Sequence, residues 1–180
     1  QAGKRPGLSV APCRELGGSL GSGREHLMLR GLPRLLSPEL LKVLCEMGHG
    51  DTLVLADGNF PRNAYGEHAR IVRMDGLGIP ELLRSILPFF PLDSYVEKPL
   101  TLMQLVPGDP VKTPIWNVYE GLAEQYDPRG KLAIGHLDRC TFYEKARRAY
   151  AVLATGETAL YANLILQKGV VQNGPEAAGD

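Results

Sequence analysis

The sequence predicts an α/β fold, a three-layer α/β/α single domain with helices on both faces of a central, mostly parallel or mixed sheet. Short apolar runs of strand length alternate along the chain with amphipathic segments of helix length. This alternation is typical of strands joined by crossover helices. The 180 residues are 44% hydrophobic and 22% charged, which suits one globular domain with a sizeable core.

The two ends of the chain differ from its middle. Residues 1–27 are rich in glycine and lack a periodic apolar pattern, so we predict a disordered N-terminal tail. They also lack the apolar centre of a secretory signal. Residues 172–180 are polar and rich in Gly and Ala, which predicts a flexible C-terminal tail. The folded domain is therefore expected over residues 28–171.

The first helix has clear boundary signals. Ser37 can cap it, Pro38 suits its first turn, and Glu39 complements the positive end of the helix dipole. We expect Gly48 to end the helix in a left-handed conformation. A buried strand then follows at residues 53–56.

The remaining elements follow from the same patterns and from Pro and Gly as boundaries. Pro80 opens a helix that must end near Pro88, and Pro114 opens another. A further helix is expected at residues 141–148. The predicted strands after the first cover residues 69–74, 100–106, 131–136, 150–154 and 160–166.

Charge and cysteine usage exclude several classes of protein. Twenty basic residues balance twenty acidic ones, and the basic residues are scattered, so we expect no nucleic-acid partner. No apolar run approaches 18 residues, so we expect no membrane span. The cysteines Cys13, Cys45 and Cys140 are far apart and odd in number, which argues against a disulfide framework and favours a cytoplasmic location.

His49 and Asp57 are the leading candidates for chemistry. His49 lies between two glycines, where a substrate could approach an imidazole that exchanges protons near neutral pH. An equally plain interpretation is a histidine that hydrogen-bonds a carbonyl in the last helical turn. Asp57 ends a strand, where α/β folds bind ligands, although Asp57 and Asp93 could also be simple turn or cap residues.

Sequence motifs for metals and cofactors are missing. Cys45 and His49 are four residues apart, but no further ligand is spaced to complete a metal site. The sequence contains no phosphate-binding loop, no GxSxG and no HExxH, and its Gly76-Leu77-Gly78 lacks the third glycine of a dinucleotide fingerprint. We therefore expect neither a metal nor a cofactor.

Six segments of the chain resemble the L-fucose mutarotase family, which is related to the bacterial D-ribose pyranases. The resemblance runs in order from about residue 28 to about residue 171. The segments are LSPELL at 36–41, MGHGD at 47–51, RMDGL at 73–77, PLDSY at 91–95, FYEKA at 142–146, and TGE through YAN at 155–163.

The resemblance implies a three-layer α/β fold and a ring-like homo-oligomer with active sites close to subunit boundaries. It also implies a cofactor-free reaction, the interconversion of the α and β anomers of L-fucose. In the family's motifs His49 matches the catalytic histidine, and Asp57 matches a sugar-binding carboxylate. Further positions that the family associates with the sugar match Asp93, Arg139, Tyr143, Tyr161 and Asn163.

Mutarotation needs a base at the anomeric hydroxyl and an acid at the ring oxygen. We expect His49 to donate or shuttle a proton, and Asp57 to hold sugar hydroxyls or fix the imidazole tautomer. Arg139 is expected to orient the sugar, because it cannot act as a base. Tyr143 and Tyr161 would hydrogen-bond hydroxyls or form an apolar wall. From the residues alone, each tyrosine could equally pack in the core.

Ala162 stands where relatives often have glycine. If its backbone has a positive φ, the β-carbon costs about 1 kcal/mol. Two other functions stay open. A D-ribose-type pyranase would use the same proton steps with a different ring-closing hydroxyl. A non-catalytic sugar-binding protein would bind without accelerating exchange.

Overall fold

The computed structural model describes residues 29–65 and 68–171, so the predicted tails at 1–27 and 172–180 lie outside the described residues. Its centre is a six-stranded sheet of order β2-β5-β1-β6-β3-β4. The strands are β1 (Thr52–Ala56), β2 (Arg70–Met74), β3 (Leu100–Met103), β4 (Ile134–Leu137), β5 (Ala151–Thr155) and β6 (Leu164–Gln167).

The sheet is mixed and mostly parallel, which confirms the predicted fold class. β5 pairs in parallel with both β1 and β2, and β3 pairs in parallel with β4. β6 lies between β1 and β3 and runs antiparallel to both. The other five strands therefore point the same way, and their carboxyl ends lie at one edge of the sheet.

Helices cover both faces of this sheet. Alternate strand residues point to opposite faces, so Leu53 and Leu55 join the larger core with α1, α3 and α4, whereas Val54 and Ala56 pack toward α5. α2 lies beside α5 on this second face. The helices are α1 (Pro38–Glu46), α2 (Arg62–Tyr65), α3 (Ile79–Ile86), α4 (Pro114–Tyr126) and α5 (Arg139–Arg147).

Helix α1 begins as predicted and ends differently. The Ser37 hydroxyl accepts a hydrogen bond from the Leu40 amide at 3.2 Å, which confirms the N-cap. The predicted left-handed Gly48 is wrong, because α1 ends at Glu46 and the positive φ of +85° occurs at Gly50. Lys168 completes this helix end, since its Nζ donates to the carbonyls of Leu44 and Met47.

Several other boundaries differ from prediction. The last strand, β6, begins at Leu164 and not at residue 160. β3 ends at Met103, because the chain turns through Pro107 and Gly108. Residues 130–133 form a short 3-10 turn, so β4 begins only at Ile134. α5 begins at Arg139 because the Asp138 carboxylate accepts from the amides two and three residues ahead and caps the helix.

None of the helices in the described part of the chain has both the length and the apolar character needed to cross a membrane.

Candidate functional site

The carboxyl edge of the sheet gathers polar side chains from several elements. Asp57 follows β1, Asp109 lies in the loop after β3, and Arg139 follows β4. Because β6 is antiparallel, the residues before it, Tyr161 and Asn163, reach the same edge. This is the edge at which open α/β sheets bind ligands.

Asp57 and Asn163 form a buried pair at the centre of this edge. The Asp57 amide donates to Oδ1 of Asn163 at 2.8 Å, and Nδ2 of Asn163 donates to Oδ2 of Asp57 at 2.7 Å. Only 6% of Asp57 and 4% of Asn163 are exposed. Burial raises the pKa of the Asp57 carboxyl, and hydrogen bonds from the Asn59 amide and from Asn163 offset only part of this rise.

Helix α5 contributes a cation and an aromatic ring. Arg139 is its first residue and Tyr143 lies four residues on, so both side chains project from one helix face. The Arg139 guanidinium carbon lies 5.9 Å from the centre of the Tyr143 ring. A guanidinium offers several fixed donors and no acceptor, which suits it to hold sugar hydroxyls.

Tyr161 has a strained backbone at the same edge. Its φ is +55°, and among the described residues it is the one residue other than glycine with a positive φ. Ala162 therefore carries no cost of this kind, because the left-handed turn falls one residue earlier. Such a conformation costs roughly 1–2 kcal/mol for a residue with a β-carbon. It is maintained by helix α4, where Trp116 donates to the Tyr161 carbonyl at 2.9 Å and Tyr119 donates to the Ala162 carbonyl at 2.8 Å.

These groups surround a cavity of about 280 Å³. Small-molecule pockets span roughly 300–1,000 Å³, so the cavity suits a small ligand. Five predicted site residues line it, namely Asp57, Arg139, Tyr143, Tyr161 and Asn163. Sequence reasoning missed Asn59, Met103, Val106, Asp109, Val111 and Leu160. Asp109 carried a usable signal, because it is a polar residue soon after a predicted strand.

His49 and Asp93 lie together elsewhere. His49 Nε2 is 3.2 Å from Oδ2 of Asp93, which is buried, whereas 46% of the His49 side chain is exposed. Asp93 also accepts from the Tyr95 amide at 2.9 Å and from Gln167 at 3.1 Å. Burial acts to raise the pKa of Asp93, but these hydrogen bonds outweigh it and hold the pKa below its ordinary value.

A close backbone approach fixes Asp93 at this position. The Asp93 amide donates to the Gln167 carbonyl, and the Gly169 amide donates to the Pro91 carbonyl. A β-carbon at Gly169 would lie 2.6 Å from the Leu92 carbonyl oxygen, so the contact requires glycine. The plain interpretation of His49 as a helix-ending cap is wrong, because Lys168 takes the last-turn carbonyls.

The structure does not bring His49 and Asp57 together within one chain. They lie at opposite ends of β1, whose five residues alone span roughly 13 Å at ~3.3 Å per residue. Asp93, not Asp57, contacts the imidazole, so the interpretation of Asp57 as the group that fixes the His49 tautomer is wrong for the single chain. Among residues 29–65 and 68–171, no three His, Cys, Asp or Glu side chains are grouped to hold a metal ion.

The fold and this edge define an α/β protein with a polar pocket for a small ligand at the carboxyl ends of its parallel strands. The chain belongs to the RbsD / FucU transport protein family, whose sequence pattern matches residues 30–171. This confirms the resemblance found in the sequence. The matched region covers the whole sheet and every predicted site residue.

Individual relatives agree with this assignment. The fucose mutarotase of Mus musculus is 50% identical over 151 residues, which cover 82% of this chain and 97% of that protein. The crystal structure of FucU from Bifidobacterium longum is 63% identical with a TM-score of 0.77, covering 79% of this chain and all of that one. The fucose mutarotase of Streptococcus pneumoniae, solved in complex with L-fucose, is 48% identical with a TM-score of 0.73. The match covers 80% of this chain and 100% of that one.

Proposed function

We propose that this chain is an L-fucose mutarotase, an isomerase that interconverts the α and β anomers of L-fucose by opening and reclosing the sugar ring. The observation that carries the proposal is the convergence of Asp57, Arg139 and Asn163 on one small cavity, in a chain about half identical to fucose mutarotases. Carboxylate, amide and guanidinium groups together match a ring of sugar hydroxyls that both donate and accept.

In this proposal the pocket holds and orients the sugar. Asp57 accepts hydrogen bonds from sugar hydroxyls, and Asn163 keeps that carboxylate in place. Arg139 donates to sugar oxygens from the start of α5, and the Tyr143 ring offers an apolar wall to the 6-methyl group. Holding the sugar in this way lowers the entropic part of the barrier to ring opening.

His49 supplies the acid that protonates the ring oxygen. Its Nε2 is occupied by the Asp93 carboxylate, so Nδ1 is the nitrogen left to give and take a proton. The contact with Asp93 also holds the imidazole ring in a fixed orientation. A positioned acid of this kind contributes about 10²–10⁴-fold to the rate.

The separation of His49 from the pocket supports a site shared between copies of the chain. His49 is half-exposed, and the exposed Tyr95 lies beside it with ring centres 5.4 Å apart. We place this end of one copy over the pocket of the next copy. Such a head-to-tail contact uses two different surfaces, and it closes into a ring when the rotation between copies divides a full turn.

We also propose a cytoplasmic location for the enzyme. Cys45 and Cys140 are both exposed and both free thiols. Exposed free thiols are typical of proteins kept in a reducing compartment. The spacing and odd number of cysteines in the sequence favour the same location.

The test measures α/β exchange of L-fucose by saturation-difference NMR. Wild-type protein should accelerate exchange, and His49→Asn should lose about 10²-fold or more while keeping L-fucose binding. Saturable binding without acceleration would instead establish a non-catalytic sugar-binding protein. A higher exchange rate with D-ribose than with L-fucose or L-galactose would favour the pyranase.

Mixing two inactive variants tests the shared site. His49→Asn and Arg139→Ala are each expected to be inactive, and are unfolded and refolded together in equal amounts. In a head-to-tail ring, about a quarter of the sites then combine an intact histidine with an intact pocket. Activity near that fraction of wild type supports the shared site. No recovery, with oligomers that demonstrably mix, refutes it.

A further inference from the structure

Asp109 and Tyr161 form a close polar pair at the mouth of the pocket. The Tyr161 hydroxyl donates to Oδ2 of Asp109 at 2.6 Å. Both side chains line the cavity, and neither is more than partly buried. Asp109 was outside the set of residues expected to contact the sugar, so the pair needs its own explanation.

The pair is held in place from several sides. The second oxygen of Asp109, Oδ1, accepts from the Val111 amide at 3.1 Å, which fixes the orientation of the carboxylate. The Tyr161 carbonyl accepts from the Trp116 indole, and this contact helps hold the unusual positive φ of Tyr161. Strained residues held in this way are concentrated at functional sites.

The hydrogen between the two groups belongs to the phenol, because an ionised carboxylate has only acceptor oxygens. The Tyr161 oxygen is therefore left with lone pairs that can accept, and the Val106 amide already donates toward it. A sugar hydroxyl in the pocket would meet this oxygen as a donor. The hydrogen bond to Asp109 raises the pKa of Tyr161, so the phenol does not ionise by itself near neutral pH.

We propose that Asp109 drives a proton relay in which Tyr161 takes the proton of the anomeric hydroxyl while passing its own proton to Asp109. This inference rests on the proposed mutarotase function. It assigns the base that ring opening requires, whereas His49 is the acid. Asp109 acts through Tyr161 and does not contact the sugar, so it is a positioning residue in the relay.

Two protons move when the ring opens, and each has a donor and an acceptor. On ring opening the anomeric O–H bond breaks, its hydrogen joins the Tyr161 oxygen, and the phenol hydrogen moves to Oδ2 of Asp109. The C1–ring oxygen bond breaks, C1 becomes an aldehyde carbon, and the ring oxygen takes a proton from the His49 imidazolium. Asp109 ends as a neutral acid and His49 as a neutral base. Closure on the other face returns both protons.

The test compares kcat for α/β exchange with L-fucose affinity from calorimetry. Asp109→Asn keeps the shape of the side chain but cannot accept a proton in either amide orientation. We expect kcat to fall about 10²–10⁴-fold while the Kd for L-fucose changes less than about threefold. Asp109→Glu keeps the carboxylate and should retain at least about tenfold more activity than the asparagine variant.

A double variant separates the relay from a merely structural role. If Tyr161 and Asp109 act as one unit, Tyr161→Phe with Asp109→Asn should be no slower than Tyr161→Phe alone. Asp75→Asn is the matched control, since Asp75 is exposed and pairs with Arg73 away from the pocket. Its activity should stay within about twofold of wild type.

The outcomes distinguish this inference from the function on which it rests. A wild-type protein that does not accelerate L-fucose exchange overturns the proposed function itself. A wild-type protein that accelerates exchange, with an equally fast Asp109→Asn variant, overturns only the relay. A variant that loses affinity as much as rate, or effects that multiply in the double variant, also overturns the relay.

Discussion

Replacing Asn163 with alanine removes both hydrogen bonds that hold the Asp57 loop to the residue before β6. One is the Asp57 amide donating to Asn163, and the other is Asn163 donating to the Asp57 carboxylate. A neutral hydrogen bond contributes about 0.5–1.5 kcal/mol and one to a charged group about 1.5–3 kcal/mol. Because both partners are almost fully buried, water replaces these bonds only in part, and we expect a destabilisation of about 2–4 kcal/mol.

The loss should depend on pH. The folded pKa of Asp57 is raised by burial, so its contribution to stability is complete below the unfolded pKa and is lost as pH rises through the folded pKa. The hydrogen bond from Asn163 lowers the Asp57 pKa, and its removal moves the folded pKa higher still. The destabilisation by Asn163→Ala is therefore expected to be larger at neutral pH than at about pH 4.

Urea unfolding at fixed protein concentration measures both effects. With an m-value of roughly 2 kcal/mol per M, the midpoint should fall by about 1–2 M at neutral pH. Asn117→Ala is the matched control, because Asn117 is exposed on α4 and should change stability by less than about 0.5 kcal/mol. A loss below about 1 kcal/mol for Asn163→Ala, or one that grows toward acid pH, would refute the reasoning.

Two further predictions concern residues around the same pocket. Arg139→Lys keeps the charge but loses the planar fork, so the affinity for L-fucose in calorimetry should fall roughly tenfold or more; unchanged affinity would exclude Arg139 as an orienting group. Tyr119→Phe leaves the Ala162 carbonyl without its 2.8 Å hydrogen bond, which should cost about 1–3 kcal/mol in urea unfolding. A loss under about 0.5 kcal/mol would mean that Tyr119 does not anchor the turn.

The sequence predicted the order and type of the main elements because local signals were strong. Ser37 and Pro38 are a cap and a first-turn proline, and the structure has both in these positions. The start of α5 was placed two residues late because the helix cap is Asp138, a residue without an adjacent apolar stripe. The end of α1 was misassigned because its carbonyls are satisfied by Lys168, more than a hundred residues away.

The site was predictable where it follows strand ends and unpredictable where it depends on pairing between distant segments. Asp57 and Arg139 follow β1 and β4, which point the same way because β6 runs antiparallel to both β1 and β3, so the sheet brings them to one edge. The close contact of Asp93 with His49 instead requires the backbone of Asp93 to pair with Gln167. It also requires a residue without a β-carbon at Gly169, where the backbone of Leu92 passes close by. No local pattern around Asp93 contains that information.

His49 and Asp57 illustrate why nearness in sequence misleads in a sheet protein. The two residues are eight positions apart in the sequence. In a helix they would lie about two turns apart, but here the residues between them form β1. An extended strand places its two ends at opposite edges of the sheet, so an acid at one end cannot serve a sugar at the other. The proposed reaction uses both groups, so we propose that they come from two copies of the chain, and subunit mixing is the experiment that tests this.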